Sequence, residues 1–130
     1  MLITLDPTSD VPMYVQIRDQ VILAIARRRL RAGEALASVR QLSASFGISP
    51  ATVVKAYDDL RADGYLRTAA KSGSVIAVDP ETPADIDDPA IELRWRADLE
   101  TVIARAYARG MPADRIRRIV AEVLADLERN

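Results

Sequence analysis

The sequence contains no cysteine and no histidine among its 130 residues. The absence of cysteine excludes a disulfide framework, a thiolate zinc site and a cysteine nucleophile. The absence of histidine excludes histidine-ligated metals and any serine–histidine–aspartate triad. The chain also has no glycine-rich phosphate loop. We therefore expect no metal, no cofactor and no enzymatic activity.

Long apolar segments are missing as well. No run approaches the roughly 20 residues of a membrane-spanning helix, and the first ten residues, MLITLDPTSD, have no basic or long apolar region of a signal peptide. We expect a cytoplasmic protein with no membrane partner. Apolar residues make up 49% and charged residues 28% of the chain, which predicts a packed core in one ordinary domain or a small domain with an appendage.

Lysine is scarce, with 2 residues beside 16 arginines, and the net charge is −1. This total would argue against a nucleic-acid partner, but the charge is unevenly distributed. Residues 1–78 carry ten basic and seven acidic residues, whereas residues 79–130 carry eight basic and twelve acidic ones. The two parts have net charges of +3 and −4, an asymmetry that is typical of two modules with different roles.

The boundary between these modules is predicted from a segment rich in proline and acid. The stretch 79–89 holds three prolines and five acidic residues, which favour an extended, solvated chain. We predict a first domain at 1–78, a linker at 79–88 and a helical module at 89–130.

The sequence pattern of residues 1–46 predicts a short strand followed by two helices. Residues 2–5 have strand propensity. Asp10 is a candidate cap for a helix that starts near Pro12 and ends near Gly33. Ser38 and Gln41 have the spacing of a capping box, which predicts that the second helix begins at Ser38.

Gly47 ends the second helix in this prediction, and a third begins at Ser49 with Pro50 in its first turn. Gly64 is a candidate left-handed stop for that helix. Its predicted buried face consists of Val53, Ala56, Tyr57 and Leu60. Two strands follow, at 65–67 and 74–78, joined by the loop 68–73.

Two further helices are predicted after the linker. Asp88 and Pro89 have the order of a helix cap and a first-turn proline. The last helix has more apolar positions than one neighbouring helix covers, so we favour a homodimer over packing within one chain. Trp95 and Tyr107 could line a ligand site, but their helical spacing favours core or interface. The predicted dimerisation residues are Trp95, Leu99, Val102, Ile116, Ile119, Val120, Val123 and Leu127.

The second and third predicted helices, joined through Gly47, form a helix-turn-helix pattern, and the hairpin after them makes it a winged one. The third helix starts with small polar side chains that allow close approach to base edges in a major groove. The plainer alternative is a small helical domain with a hairpin.

The basic run 27–31 could contact phosphate, but a solvated helix end is the favoured interpretation. The fold class is therefore mainly α with a small β-hairpin wing.

Residues 11–78 resemble the winged-helix domain of GntR-family bacterial transcription regulators. The resemblance rests on the segments VPMYVQI, LRAGEAL, ASVRQL and GISPATVVKAY, with Leu60 and Gly64-Tyr65-Leu66 behind them. The short helical tail, residues 79–130, resembles the YtrA subfamily, whose members carry a small helical dimerisation module. Two departures concern DNA contacts: Pro50 stands where some relatives have a basic residue, and Lys71 stands where the wing usually has glycine.

The resemblance implies that Arg40 reads a base, that the start of the third helix meets bases or phosphates, and that the wing contacts the backbone or minor groove. The predicted DNA-binding residues are Ser38, Arg40, Gln41, Ser49, Ala51, Thr52, Lys55, Lys71, Ser72 and Gly73.

The function predicted from these observations is a homodimeric repressor that binds a pseudo-palindromic operator on double-stranded DNA. Repression, and its own operon as the target, commonly with ABC-transporter genes, are implied by the resemblance. No small-molecule effector is required by the sequence. The alternative is a winged-helix module that binds protein rather than DNA. An enzyme is the weakest hypothesis.

Overall fold

A computed structural model describes residues 3–129 of the chain. These residues form two compact units, the first ending at Thr82 and the second beginning at Pro83. No helix in the described range is both long and apolar enough to cross a membrane. Within the same range, no cluster of acidic side chains is arranged to hold a metal ion.

The first unit contains three helices and one antiparallel hairpin. The helices are α1 (Met13–Ala26), α2 (Val39–Phe46) and α3 (Pro50–Ala62), and the strands are β1 (Leu66–Ala69) and β2 (Gly73–Ile76). Together they bury one continuous apolar cluster, which consists of Ile3, Ile17, Val21, Ala24, Ile25, Leu30, Leu42, Val53, Ala56, Tyr57, Leu60, Leu66 and Ile76. The mainly helical winged fold expected from the sequence is confirmed.

The prediction of a strand at 2–5 is wrong for the residues that can be described. Residues 3–5 are not in a strand, and Leu2 lies outside the described residues. Ile3 is buried in the core, so its apolar character serves packing instead of sheet pairing. The segment is then held by Gln16, whose side chain accepts a hydrogen bond from the Asp6 backbone N–H (2.8 Å) and donates one to the Asp6 carbonyl (3.0 Å).

The predicted start of α1 near Pro12 agrees with its first residue, Met13, but its predicted cap and its predicted end are corrected. Asp10 does not cap the helix, because Pro12 is the residue at the N-cap and no side chain caps this end. The helix ends at Ala26 and not near Gly33. Arg28 has a φ of 60°, in the left-handed region that interrupts a right-handed helix. The chain then turns back and buries Leu30 in the core.

The predicted helix-turn-helix is confirmed down to its caps. Ser38 and Gln41 form a complete capping box at the start of α2, and Gly47 ends that helix with a φ of 64°. Ser49 caps α3, with Pro50 in its first turn. The four residues predicted for the inner face of α3 are all buried. Local sequence signals therefore positioned these two helices correctly.

The hairpin is longer at its tip than predicted, since β1 runs to Ala69 and β2 begins at Gly73. Leu66 pairs with Ile76 at the base, and Thr68 pairs with Ser74 further out. A third extended segment lies beside β2, where Leu36 donates its backbone N–H to the Ser74 carbonyl (2.8 Å) and Ala35 forms a bridge to Val75. The hairpin base is therefore anchored on the body of the unit.

The predicted linker at 79–88 begins too early. Asp79 is buried and accepts hydrogen bonds from the backbone N–H groups of Ala32 (2.8 Å) and Glu81 (2.9 Å) and from Arg31 Nε (3.0 Å). Residues 79–82 therefore belong to the first unit. Composition suggested a solvated chain here, but a carboxylate is readily buried where several N–H donors surround it.

The second unit contains α4 (Pro89–Tyr107) and α5 (Ala113–Glu128), as predicted. Asp88 caps α4 by accepting a hydrogen bond from the Ala90 N–H (3.0 Å), and Pro89 is in the first turn. Gly110, in the turn between the helices, has a φ of 90°. Neither helix contains a buried residue in the part of the chain that the structure describes.

Candidate nucleic-acid interface

The first turn of α3 presents small polar groups on the surface. The Ser49 hydroxyl accepts a hydrogen bond from the Thr52 N–H (3.2 Å) and lies 3.0 Å from the Thr52 hydroxyl. Ala51 is exposed and Thr52 is half-buried. The resulting surface has no bulky side chain between the helix backbone and an approaching partner.

Further along the same helix, the outward side carries one apolar and one basic residue. Val54 is 41% exposed although its neighbour Val53 is fully buried. Lys55 is exposed, and its ammonium lies 4.6 Å from the centre of the Tyr14 ring. This cation–π contact holds the lysine stem against α1 while its charge stays accessible to an anion.

Arg40 on α2 is an arginine that is available for an external contact. Its side chain is exposed and has no hydrogen bond or ion pair with any residue in the range 3–129. Its neighbours Ser38 and Gln41 are also exposed but already bonded to each other, with the Ser38 N–H 2.9 Å from Gln41 Oε1 and the Gln41 N–H 3.1 Å from Ser38 Oγ. Both predicted contact residues thus serve first as a helix cap.

Two partly buried hydrogen bonds hold α2 and α3 relative to one another. Tyr57 on α3 donates its hydroxyl to the Ala37 carbonyl (2.6 Å), immediately before the α2 cap. Burial raises the pKa of Tyr57 to about 12, so this hydroxyl keeps its proton at neutral pH. The Ser43 hydroxyl donates to the Ile48 carbonyl across the turn. Arg40 consequently lies near the start of a helix that the buried residue Tyr57 holds in place through the Ala37 carbonyl.

The remaining predicted DNA-binding residues lie at the hairpin tip. Lys71, Ser72 and Gly73 are all exposed. Gly73 has a φ of 70°, which a residue with a Cβ rarely adopts. The predicted set therefore divides between the α2 start, the α3 start and the wing. All three parts belong to the first unit.

Two arginines of the basic run 27–31 are engaged inside the molecule. Arg31 pairs with Asp79 (3.0 Å) and Glu81 (2.9 Å), and Arg28 pairs with Glu81. The Ala32 N–H, followed by Arg31, holds the pKa of Asp79 well below its usual range, and the hydrogen bond to Asp79 raises the pKa of Arg31. Neither free solvation nor phosphate contact, the two interpretations considered for the run, describes these two residues.

The predicted dimerisation residues divide by exposure. Leu99, Ile116 and Leu127 are half-buried within the second unit. Trp95 is 63% and Val123 is 57% exposed, and Val102, Ile119 and Val120 are also exposed. A two-helix unit with so much exposed apolar surface resembles one half of an interface.

Val54 is a surface residue of α3 that the sequence reasoning did not select. Its apolar side chain suits contact with a thymine methyl group more than with phosphate. The available signal was the helical spacing of the predicted inner face, because Val54 lies outside the set Val53, Ala56, Tyr57 and Leu60.

Comparison with protein families gives a match to the model described as bacterial regulatory proteins, gntR family, over residues 13–76. The chain is 27% identical to the transcriptional repressor YtrA of Bacillus subtilis, over 98% of this chain and 95% of that protein. It is 40% identical to the pyridoxine biosynthesis regulator PdxR of Corynebacterium glutamicum over 77 residues. That match covers 59% of this chain but only 17% of PdxR.

Solved structures extend these similarities. YtrA from Sulfolobus acidocaldarius, a GntR-family transcription factor, is 32% identical with a TM-score of 0.62, over 83% of this chain and 99% of that one. A transcriptional antiterminator from Listeria monocytogenes shares the fold, with a TM-score of 0.83 at 24% identity over 98% of this chain and 92% of that one. AraR(DBD) in complex with operator ORX1 is 25% identical with a TM-score of 0.50, over 58% of this chain and 93% of that one.

Proposed function

The chain belongs to the GntR family of bacterial regulatory proteins, and from this premise we propose that it is a repressor that binds operator DNA as a homodimer. The observation that carries DNA binding is the exposed Arg40 beside the small polar first turn of α3. An arginine without an internal partner can donate two hydrogen bonds to guanine O6 and N7. The similarity to AraR(DBD), solved in complex with an operator, supports DNA binding by this fold.

The remaining proposed contacts have separate roles. Ser49, Ala51 and Thr52 allow α3 to enter a major groove closely, and Val54 contacts a thymine methyl. Lys55 and Lys71 contact phosphates, while Ser72 and Gly73 bring the wing backbone close to the duplex. The proposed function needs no catalytic group and no cofactor, and it places the protein in the cytoplasm with its DNA.

Dimerisation is proposed from the second unit. Each buried square ångström of apolar surface contributes about 25 cal/mol, and the exposed side chains of α4 and α5 have no other apolar cover in that unit. A two-fold dimer would cover them and present two winged domains to two half-sites. We therefore propose a pseudo-palindromic operator.

Selection of bound sequences from a random DNA pool tests the DNA-binding proposal directly. We expect a pseudo-palindrome to be enriched. With that duplex, Arg40→Ala should weaken binding by about fivefold to 150-fold, the equivalent of about 1–3 kcal/mol. Arg109→Ala is the matched control, because Arg109 is also an exposed arginine but belongs to the second unit, outside the proposed DNA contacts. No enrichment, together with binding that ignores salt, would leave the protein-interaction module as the better function.

Dimerisation is tested by a charge placed on the exposed apolar side of α5. Val123→Glu should give a particle of the 14.3 kDa chain mass at tens of micromolar, where the wild type gives twice that mass. Ala121→Glu adds the same charge two residues away, about 200° around the helix, and should leave the dimer intact. A monomeric wild-type protein in light scattering would reject this part of the proposal.

Repression is proposed from the similarity to YtrA of Bacillus subtilis, which is named a repressor. The protein's own operon is proposed as the target from the resemblance to the YtrA subfamily. A reporter gene behind the protein's own promoter should be expressed more strongly when Arg40→Ala replaces the wild-type protein. Lower reporter expression would indicate activation instead.

A further inference from the structure

Arg61, in the last turn of α3, connects that helix to both strands of the wing. Its Nη1 donates to Ser74 Oγ on β2 (2.9 Å) and lies 3.5 Å from Thr68 Oγ1 on β1. Its Nη2 donates to Asp58 Oδ1 on α3 (3.1 Å). One planar guanidinium therefore bonds to the helix on one side and to a cross-strand pair, Thr68 and Ser74, on the other.

The wing needs an anchor of this kind above its base. Each strand has four residues, and an isolated two-stranded hairpin is marginal in water. At the base, Leu66, Val75 and Ile76 are buried and the Leu36 N–H bonds to the Ser74 carbonyl (2.8 Å). Thr68 and residues 70–73, further out, are exposed. Along β2, burial ends at Ser74, which is half-buried between buried Val75 and exposed Gly73. Arg61 contacts the hairpin at this residue.

Sequence alone gives Arg61 a different interpretation. A basic residue in the last turn of a helix is favoured by the helix dipole, and a pair with Asp58 three residues earlier adds a little helix stability. Neither effect requires contact with the wing. The contact with Ser74 uses side chains 13 residues apart in sequence.

We propose that Arg61 is a positioning residue that sets the angle of the wing against α3, so that Lys71 reaches the DNA backbone while the first turn of α3 lies in the major groove. This proposal rests on the DNA-binding function proposed above. It predicts that loss of Arg61 removes the contribution of the wing tip without loss of the contacts of Arg40.

The experiment is a double-mutant cycle on DNA binding, read as the slope of log affinity against log salt concentration. Lys71→Ala should reduce the steepness of this slope by about one phosphate contact. In the Arg61→Ala background, the same Lys71→Ala change should have little further effect, since the wing tip is already displaced. Ser74→Ala should move the slope in the same direction as Arg61→Ala although it removes no charge.

Two variants separate positioning from charge. Arg18→Ala is the matched control, because the Arg18 side chain is 32% exposed, as is that of Arg61, and its acid partners lie on α1 and α3. It should leave the effect of Lys71→Ala unchanged. Arg61→Lys keeps the charge without the planar fork, so it should behave like Arg61→Ala. A full Lys71→Ala effect in the Arg61→Ala background would overturn the proposal.

Amide hydrogen exchange tests the anchor without DNA. Arg61→Ala should speed exchange in β1 and β2 while the amides of α1 and α3 keep their protection; unchanged exchange in the hairpin would overturn the proposal. If the wild-type protein binds no DNA, the proposed function fails, and faster hairpin exchange would still support the anchor.

Discussion

The two units of this protein place their apolar side chains in opposite ways. Every buried apolar residue in the described chain belongs to the first unit, and α4 and α5 contain none. Both units have capped or clearly terminated helices with apolar positions at helical spacing. Helices therefore form in both units, but only the first unit buries their apolar faces. Three helices and a hairpin can enclose a core, whereas two helices alone cannot.

The units also differ in how they use charge. Asp79 and Glu81 belong to the first unit and pair with Arg28 and Arg31. With the boundary at Thr82, the first unit has ten basic and nine acidic residues, a net charge of +1, and the second has eight and ten, a net charge of −2. The asymmetry of +3 against −4 is therefore reduced. DNA affinity then depends on where individual basic residues lie more than on a general positive field.

The largest expected effect on stability is that of Leu42→Ala in the first unit, which tests the contrast in burial between the two units. Leu42 is fully buried, so we expect its truncation to cost about 2–5 kcal/mol of unfolding free energy. Leu124→Ala in the second unit should cost less than about 0.5 kcal/mol in the monomer, because Leu124 is 57% exposed. Denaturant unfolding of each variant, with hydrogen exchange as the readout for each unit, measures both changes in unfolding free energy.

The dependence of the stability loss on protein concentration further distinguishes Leu42→Ala from Leu124→Ala. The effect of Leu42→Ala should not depend on concentration, whereas the effect of Leu124→Ala should grow with it if the dimer covers that residue. The single tryptophan, Trp95, reports on the second unit by fluorescence. A concentration-independent Leu124→Ala effect would break the contrast between a self-sufficient unit and one that needs a partner.

An intermediate effect is expected for Asp79→Asn, measured against Asp114→Asn in the second unit. Asp114 has one ion pair, with Arg117 (2.7 Å), and an almost fully exposed side chain, so its replacement should change little. The pKa of Asp79 is lowered in the folded protein from its ordinary value of 3.8. The stabilisation by its charge is therefore present above pH 3.8 and is lost as pH falls below that value.

Unfolding of the wild type and Asp79→Asn across an acid series measures this effect. The difference in stability between them should be full at neutral pH and shrink below pH 4. A difference that stayed constant from pH 7 to pH 2 would show that the carboxylate charge of Asp79 is not what holds residues 79–82 on the first unit.

The smallest of these effects is expected for Tyr57→Phe, which leaves the Ala37 carbonyl without its donor. One lost hydrogen bond of this kind costs about 1 kcal/mol. Tyr107→Phe is the control in the second unit, where the side chain is exposed. Because burial raises the pKa of Tyr57 to about 12, its stabilising contribution is present below about pH 10 and is lost between pH 10 and pH 12.

Alkaline unfolding checks the titration. The wild type should lose more stability than Tyr57→Phe between pH 10 and pH 12, and Tyr107→Phe should follow the wild type. Equal losses for the wild type and Tyr57→Phe would mean that Tyr57 is not the group that titrates with folding.

The parts of the fold that sequence predicted correctly are those with a local cause. The capping box at Ser38, the glycine at 47 and the proline after Ser49 each act within one turn of the chain. The errors at Asp10, at the end of α1 and at Asp79 do not have one common cause. For Asp79 the deciding contacts join residues distant in sequence, such as Asp79 with Ala32, whereas α1 has no side-chain cap and ends at the left-handed turn of Arg28.

The candidate site follows the same division. The exposed start of α3 and the hairpin tip could be predicted from spacing, because both lie beside strong turn signals. The engagement of Arg28 and Arg31 could not be predicted, and neither could the bonds of Arg61 to the wing. An arginine looks the same in sequence whether its partner is a phosphate, a neighbouring acid or a serine 13 residues away.

The sequence by itself therefore determined the capped starts of α2, α3 and α4, the presence of the hairpin and the absence of histidine and cysteine chemistry, since these follow from residue type and short-range spacing. Tertiary structure alone decided which arginines are free to meet a partner, where the first unit ends and which apolar faces remain uncovered. The physical reason is that charge pairing and burial depend on distances in space, which chain separation does not give.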